Sequence, residues 1–225
     1  MHASIAADRA RHDGHTIGFT LGVIALVVAL GGVGLAYVLT AMTRGAPEGG
    51  SVVQSGGIVT RTIGATSLTI PAAWLTGDDQ AAGGFAKQVD FAVTLPLGPD
   101  GAARRIEVSL TQPSRVLPSA SLLDGVYLHE FLPAQLSGPP GLIGKPLSGQ
   151  EGYENETVWY DPINASPFVA KCAAPVTAGQ PGNCLRAVYL GSGIAAIYSF
   201  ADDLLPNWRK FDAQMHPLLN EIGAL

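Results

Sequence analysis

The sequence predicts an α+β fold: an N-terminal transmembrane helix followed by an antiparallel-sheet domain with two packed helices. Three observations lead there. An uncharged apolar run fills the early chain, period-two alternation recurs through the rest, and two later segments carry helical signals. Of the 225 residues, 47% are apolar and 14% charged, enough apolar content to build a core and to argue against wholesale disorder. The 28 glycines have no period of three, which excludes collagen. A formal charge of −5 argues against a nucleic-acid partner, which would call for a basic stripe.

Residues 1–16 read as a short cytoplasmic leader. No charge occurs from Thr16 to Thr43, and residues 17–42 are mostly apolar. As a helix this segment spans roughly 39 Å, enough to cross a hydrocarbon layer of about 30 Å. A buried soluble helix would keep a polar face. A cleaved signal peptide would have a shorter apolar core and a small-residue cleavage site, whereas Met42-Thr43-Arg44 is a poor place to cut. The reading is therefore an uncleaved signal anchor. Arg9 and Arg11 before the span nearly balance Arg44 and Arg61 after it, so basic residues leave the orientation open. Gly18, Gly22, Ala25, Ala29, Gly32 and Ala36 form one helical stripe of small residues. Such a stripe lets membrane helices approach closely, although Gly and Ala are common in membrane helices anyway. The expected partners are the lipid bilayer and another transmembrane helix, from a second copy or from a membrane complex.

Residues 43–57 are Gly-rich and read as a flexible tether. Residues 58–225 make one domain-sized piece, expected outside the cytoplasm. Ile58–Ile63 and Ser67–Ile70 predict a hairpin around Gly64-Ala65. Val89–Leu95 and Ile106–Thr111 alternate cleanly across the turn region Pro96–Gly101. Further strands are expected at Thr157–Tyr160, Phe168–Cys172, Leu185–Leu190 and Ile194–Phe200, with Gly191-Ser192-Gly193 as a tight turn between the last two. Ser121 can cap a helix from Leu122 to Leu132, stopped by Pro133. A second helix starts at Pro206, presents Trp208, Phe211, Met215, Leu218, Leu219 and Ile222 on one face, and should kink at Pro217.

Cys172 and Cys184 flank an irregular loop, with strand-like runs on both sides. They are expected to pair, which would contribute on the order of 3 kcal/mol. Two unpaired thiols in a cytosolic domain are the alternative. A metal site is poorly supported without C-x-x-C or a neighbouring histidine. A disulfide needs an oxidising compartment, so the domain is expected outside the cytoplasm, in the periplasm if the cell is Gram-negative and otherwise outside the cell.

No catalytic, cofactor or metal set emerges. His129-Glu130 begins an H-E-x-x-H pattern, but Pro133 stands where the second histidine belongs. His216 and His129 read as surface or boundary residues. Ser192 lacks a G-x-S-x-G context. Glu151, Glu154, Glu156 and Asp161 form the densest acidic cluster; they could ligate calcium but lack EF-hand spacing. Trp74, Trp159 and Trp208 could line a groove, and are more ordinarily core residues. Asn155 and Asn164 sit in glycosylation triplets, which also arise by chance. Gly138-Pro139-Pro140-Gly141 marks a long loop between the two halves.

The plan as a whole resembles uncharacterised single-pass inner-membrane proteins of Gram-negative bacteria that carry a small periplasmic domain. The resemblance rests on architecture and transfers no residues. The expectation is a non-enzymatic, membrane-anchored accessory or scaffold protein. A periplasmic enzyme with a dispersed site around His129 and a small-ligand or envelope-component binder are the alternatives.

Overall fold

A computed structural model describes residues 57–76, 83–149, 154–175, 177 and 179–225. The chain divides into two compact units, Met1–Val53 and Gln54–Leu225, and the described residues belong to the second. The predicted span, its small-residue stripe (Gly18, Gly22, Ala25, Ala29, Gly32, Ala36), the tether up to residue 56 and Glu151 lie outside the described residues. Among the described residues, no helix is long and apolar enough to cross a membrane.

The domain is a sheet-rich α+β fold. Ile58–Ile63 (β1), Thr66–Pro71 (β2) and Gly84–Phe85 (β3) form a three-stranded sheet in the order β2-β1-β3. The predicted hairpin is present, with β1 and β2 antiparallel and Gly64 at φ 60°. Gln88–Leu95 (β4), Arg104–Thr111 (β5), Ile143–Pro146 (β6), Glu156–Tyr160 (β7), Val169–Ala173 (β8), Asn183–Tyr189 (β9) and Ala195–Ala201 (β10) form the large sheet. Its order is β4-β5-β10-β9-β8-β7-β6, and every neighbouring pair is antiparallel. The short strands β3 and β6 were not expected. Both lie in stretches without alternation long enough to mark a strand, and β6 includes Gly144 and Pro146.

Alternation decides the core. Val89, Phe91 and Val93 of β4 stand opposite Leu110, Val108 and Ile106 of β5. Tyr198 and Phe200 of β10 continue the same face, opposite Val108 and beside Arg186 and Cys184 of β9. This face is covered by the helix Trp208–Glu221, entered through a 3-10 turn at Asp202–Asn207. The expected start at Pro206 therefore falls inside the 3-10 turn. The helix runs on through Pro217, which is exposed, so the carbonyl that loses its amide partner faces water. Phe211, Met215 and Leu219 recur every four residues and are buried against the sheet. Phe211 meets Tyr198, Phe200 and Phe168 at ring-centroid distances of 5.3, 5.0 and 6.2 Å.

The helix stop is built by Gly223, at φ 78°. Its amide donates to Asn220 O, and the Ala224 amide reaches back to Leu219 O at 2.8 Å. This pair of bonds satisfies carbonyls that the helix end leaves open, and it needs a residue that tolerates positive φ. The end is then fixed to both sheets' surroundings: Thr69 N donates to Ile222 O, and Ser192 Oγ donates to Ala224 O.

The other helical segment runs Ser119–Leu122 (α1), a π-helical Leu123–Tyr127 and Leu128–Glu130 (α2); the C-terminal helix is α3. It starts after Pro118 rather than at the expected Ser121, because Pro118 supplies a preset extended entry. It stops before the expected Leu132. Phe131 turns extended to bridge Leu147, and Leu132 precedes a proline, where the α conformation is disfavoured. Leu123 and Tyr127 pack with Leu147, Val158 and Val169 on the opposite face of the sheet. One helical segment thus covers each face.

Candidate functional site

The large sheet is not continuous along its length. β9 pairs with β10 through all seven of its residues, but with β8 only from Asn183 to Leu185. The disulfide Cys172–Cys184 forms as expected and joins directly opposed residues of that short ladder. Both cysteines are buried, at 6% and 0% exposure, so the bond belongs to the core. Beyond it the strands part. Ser119 of α1 fills part of the gap and accepts the Ala187 amide at 2.9 Å through its Oγ.

The parted strands open a cleft of about 390 Å³, lined among others by Ser119, Pro167, Val169, Arg186, Val188 and Asp212. A second cleft of about 330 Å³ lies on the other flank of the β7–β8 connection, between Asp161, Asn164, Trp208 and Arg209. The two share Ser166 and Asp212. The connecting loop holds its own shape: Asp161 Oδ1 accepts the Ile163 amide, Asn164 Oδ1 accepts the Ser166 amide, and Asp161 N donates to Phe168 O. Ile163 projects from it at 90% exposure.

Arg186 stands at the base. Its position in register with Tyr198 aims it at the helix-covered face. The guanidinium lies 4.6 Å from the Phe168 ring centroid and 5.6 Å from that of Phe211. Both terminal nitrogens donate to Asp212 on α3, Nη2 to Oδ2 at 2.9 Å. A two-pronged pair of this kind suits a buried cation. Asp212 itself keeps a side-chain exposure of 66% and faces both clefts. Burial pushes the neighbouring Tyr198 hydroxyl well above its usual value, with Arg186 opposing and Asp212 adding. Tyr198 therefore stays a neutral phenol. Nearby, Arg104 is raised above its usual value by its hydrogen bond to Asp203 and then by that carboxylate's charge.

The other predicted candidates disperse. His129 is exposed on α2 and His216 is exposed on α3. Ser192 anchors the C-terminal residues, with its carbonyl accepting Thr66 Oγ1 and its hydroxyl donating to Ala224 O. Glu156 pairs with Lys171 across β7 and β8, at 2.6 Å. Asp161 lies in the second cleft and Glu154 is exposed, so the three described members of the acidic cluster do not converge. Among the described residues there is no group of three or more potential metal ligands. The tryptophans do not share a groove. Trp74 stacks on Phe91, Trp159 lies over Gly138 and Gly144, where any Cβ would run into its ring, and Trp208 packs on Phe168. Pro140, in the predicted long loop, accepts hydrogen bonds from Trp208 Nε1 and Arg209 Nη1.

The Arg186–Asp212 pair is the feature that sequence reading missed. A signal was present: Arg186 interrupts the apolar run Leu185–Leu190, at a position where period two points inward with Cys184 and Val188. Chemically the arrangement offers recognition, with exposed carboxylate oxygens beside apolar and aromatic walls.

No family model and no curated protein matches the chain. Its structure is similar to that of Smlt3025, an immunity protein of the Stenotrophomonas maltophilia type IV secretion system, with TM-score 0.52 and 12% identity over 79% of this chain and 99% of that one. It also matches the iron-regulated outer membrane lipoprotein FrpD of Neisseria meningitidis at TM-score 0.42 and 12% identity, over 75% of this chain and 93% of that one. The second likeness is too distant to carry weight. What the first shows is a shared sheet-rich α+β fold.

Proposed function

We propose that the chain is an accessory protein of the bacterial envelope, of the immunity kind. Residues 58–225 bind a protein partner outside the cytoplasm, and the apolar segment 17–42 keeps the domain at the membrane. The observation that carries this reading is the extent of the likeness: 99% of an immunity protein's chain is matched, so its whole architecture recurs here. Fold by itself does not fix function, and two features of this chain support the step. The buried disulfide suits an oxidising compartment. The clefts about Asp212 offer recognition chemistry on a rigid frame. The small-residue stripe from Gly18 to Ala36 supplies a route for association with a second membrane helix.

The test is a mixed culture. Cells lacking the chain, grown beside their parent strain, should be outnumbered, and a plasmid copy should restore them. Full-length protein drawn from membranes in mild detergent should bring one effector-like partner with it. Equal fitness in mixed culture, together with a chain that purifies alone, contradicts the reading.

A further inference from the structure

The cleft between β8 and β9 has strand backbone for its walls. The Leu190 amide donates to Ile194 O across the turn, so the even-numbered residues of β9 bond to β10 and the odd-numbered ones face β8. On that side Asn183 and Leu185 pair with Ala173 and Lys171. Val169 and Ala187 would be the next pair, and the ladder stops before them. The Ala187 amide bonds to Ser119 Oγ instead. Among the described residues, no protein group meets the Ala187 carbonyl or the Tyr189 amide on this side. Both residues line the cleft of about 390 Å³.

An acceptor at Ala187 and a donor at Tyr189 are the two groups that a parallel neighbour uses. In parallel pairing, one residue donates its amide to the carbonyl before its opposite number and accepts at its carbonyl from the amide after it. A residue opposite Val188, in an extended segment running parallel to β9, meets Ala187 O and Tyr189 N in this way and leaves the Ser119 bond intact. An antiparallel segment opposite Ala187 would need the amide that Ser119 holds. The side chain of the residue opposite Val188 falls on the face covered by α3. There the charged residues of the cleft are Arg186 and Asp212. Arg186 is buried and commits both terminal nitrogens to Asp212. Asp212 takes one of these bonds at each oxygen and keeps 66% exposure, so its outer lone pairs are open to a second cation. The charge of the chain agrees: from Gly45 onward it holds 10 basic and 16 acidic residues, which draws a basic partner.

We infer that the slot between β8 and β9 accepts an extended segment of a basic partner protein, running parallel to β9 with a lysine or arginine opposite Val188 and its cation on Asp212. The mode is strand addition, in which main-chain bonds give affinity and a side chain gives specificity. This rests on the partner-binding reading above and adds the place and the chemistry of the contact.

The probe is a set of short synthetic peptides, selected from a random phage-displayed library on the full chain in mild detergent. The selected peptides are expected to carry a lysine or arginine among β-branched residues. Bound to the chain, they should slow hydrogen exchange at the Tyr189 amide by about tenfold or more and leave the Ala187 amide unchanged. Asp212→Asn should weaken binding by about tenfold or more, as should N-methylation of the peptide's basic residue, which removes the donor for Ala187 O. The methylated peptide leaves the protein unaltered, so its result stands even if Asp212→Asn fails to fold. Acidic selections, binding indifferent to methylation, or no enriched peptide overturns the slot. A Tyr189 amide already protected in a chain that dimerises without peptide means that a second copy fills the slot, and also overturns the proposal. Mixed culture separates the two readings. If the slot fails while a plasmid copy still restores growth, the accessory reading stands alone. If fitness never depends on the chain, that reading fails, and the peptide result decides the slot by itself.

Discussion

Tyr198 and Arg186 are neighbours across β10 and β9, and they meet burial in opposite ways. Arg186 is held by the two-pronged contact with Asp212 and the faces of Phe168 and Phe211. Removing Asp212 would leave that cation buried and unpaired, which is the costly case for an ion in a protein interior. For Tyr198 burial outweighs the opposing charge of Arg186 and holds it neutral. The consequence for stability has a definite sign. Between the ordinary tyrosine range near pH 10 and its raised folded value, Tyr198 keeps its proton when folded and loses it when unfolded. Stability from this residue is therefore complete below about pH 10 and declines above it, by up to about 1.4 kcal/mol per pH unit. Denaturant titrations from pH 8 to pH 11.5 should show a shallower alkaline decline in Tyr198→Phe than in the unaltered protein. Parallel curves would mean that Tyr198 ionises without hindrance in the folded state. None of this was legible from the residue types. A tyrosine in an apolar run reads as a core aromatic, and the neighbour that sets its environment comes from another strand.

At the scale of elements, legibility followed periodicity. Strands β4 and β5 alternate over eight residues each, and their inward residues came directly from the pattern, although β5 begins at Arg104, before the expected Ile106. The expected turn at Gly191-Ser192-Gly193 also formed, with Gly193 at φ 80°. Short elements were lost: β3 has two residues, and β6 has four including a glycine and a proline. Their pairing is decided by partners distant in sequence, which no local pattern records. The gap between β8 and β9 was hidden for the same reason. Both strands read as ordinary apolar runs, and it is the inserted Ser119 that takes the Ala187 amide. The stop of α3 shows a local rule at work. Gly223→Ala forces a side chain into a left-handed backbone with Ser67 O close by, and should cost about 1–2 kcal/mol in chemical denaturation. A loss below a few tenths would mean that the terminal turn rearranges freely. That turn also carries the contacts of Ile222 to Thr69 of β2 and of Ala224 to Ser192 in the β9–β10 turn, so any loss should be shared by β2.

For the whole molecule, the domain and its placement rest on different parts of the sequence. The domain is a seven-stranded antiparallel sheet with a helical segment on each face, a buried disulfide and two clefts about Asp212. The proposed placement outside the cytoplasm rests on the disulfide, because a cytosolic domain would be kept reduced. The order of the chain, with an uncharged segment before the tether and the tether before β1, makes membrane attachment and partner binding parts of one account. The immunity reading fails if the domain lies on the cytoplasmic side. The most direct measurement is therefore a pair of reporter fusions placed after Gly57 in growing cells. An alkaline phosphatase, which folds only where disulfides form, should be active at that junction, and a β-galactosidase fused at the same point should not. Active β-galactosidase with silent phosphatase would put the domain in the cytoplasm and contradict the account.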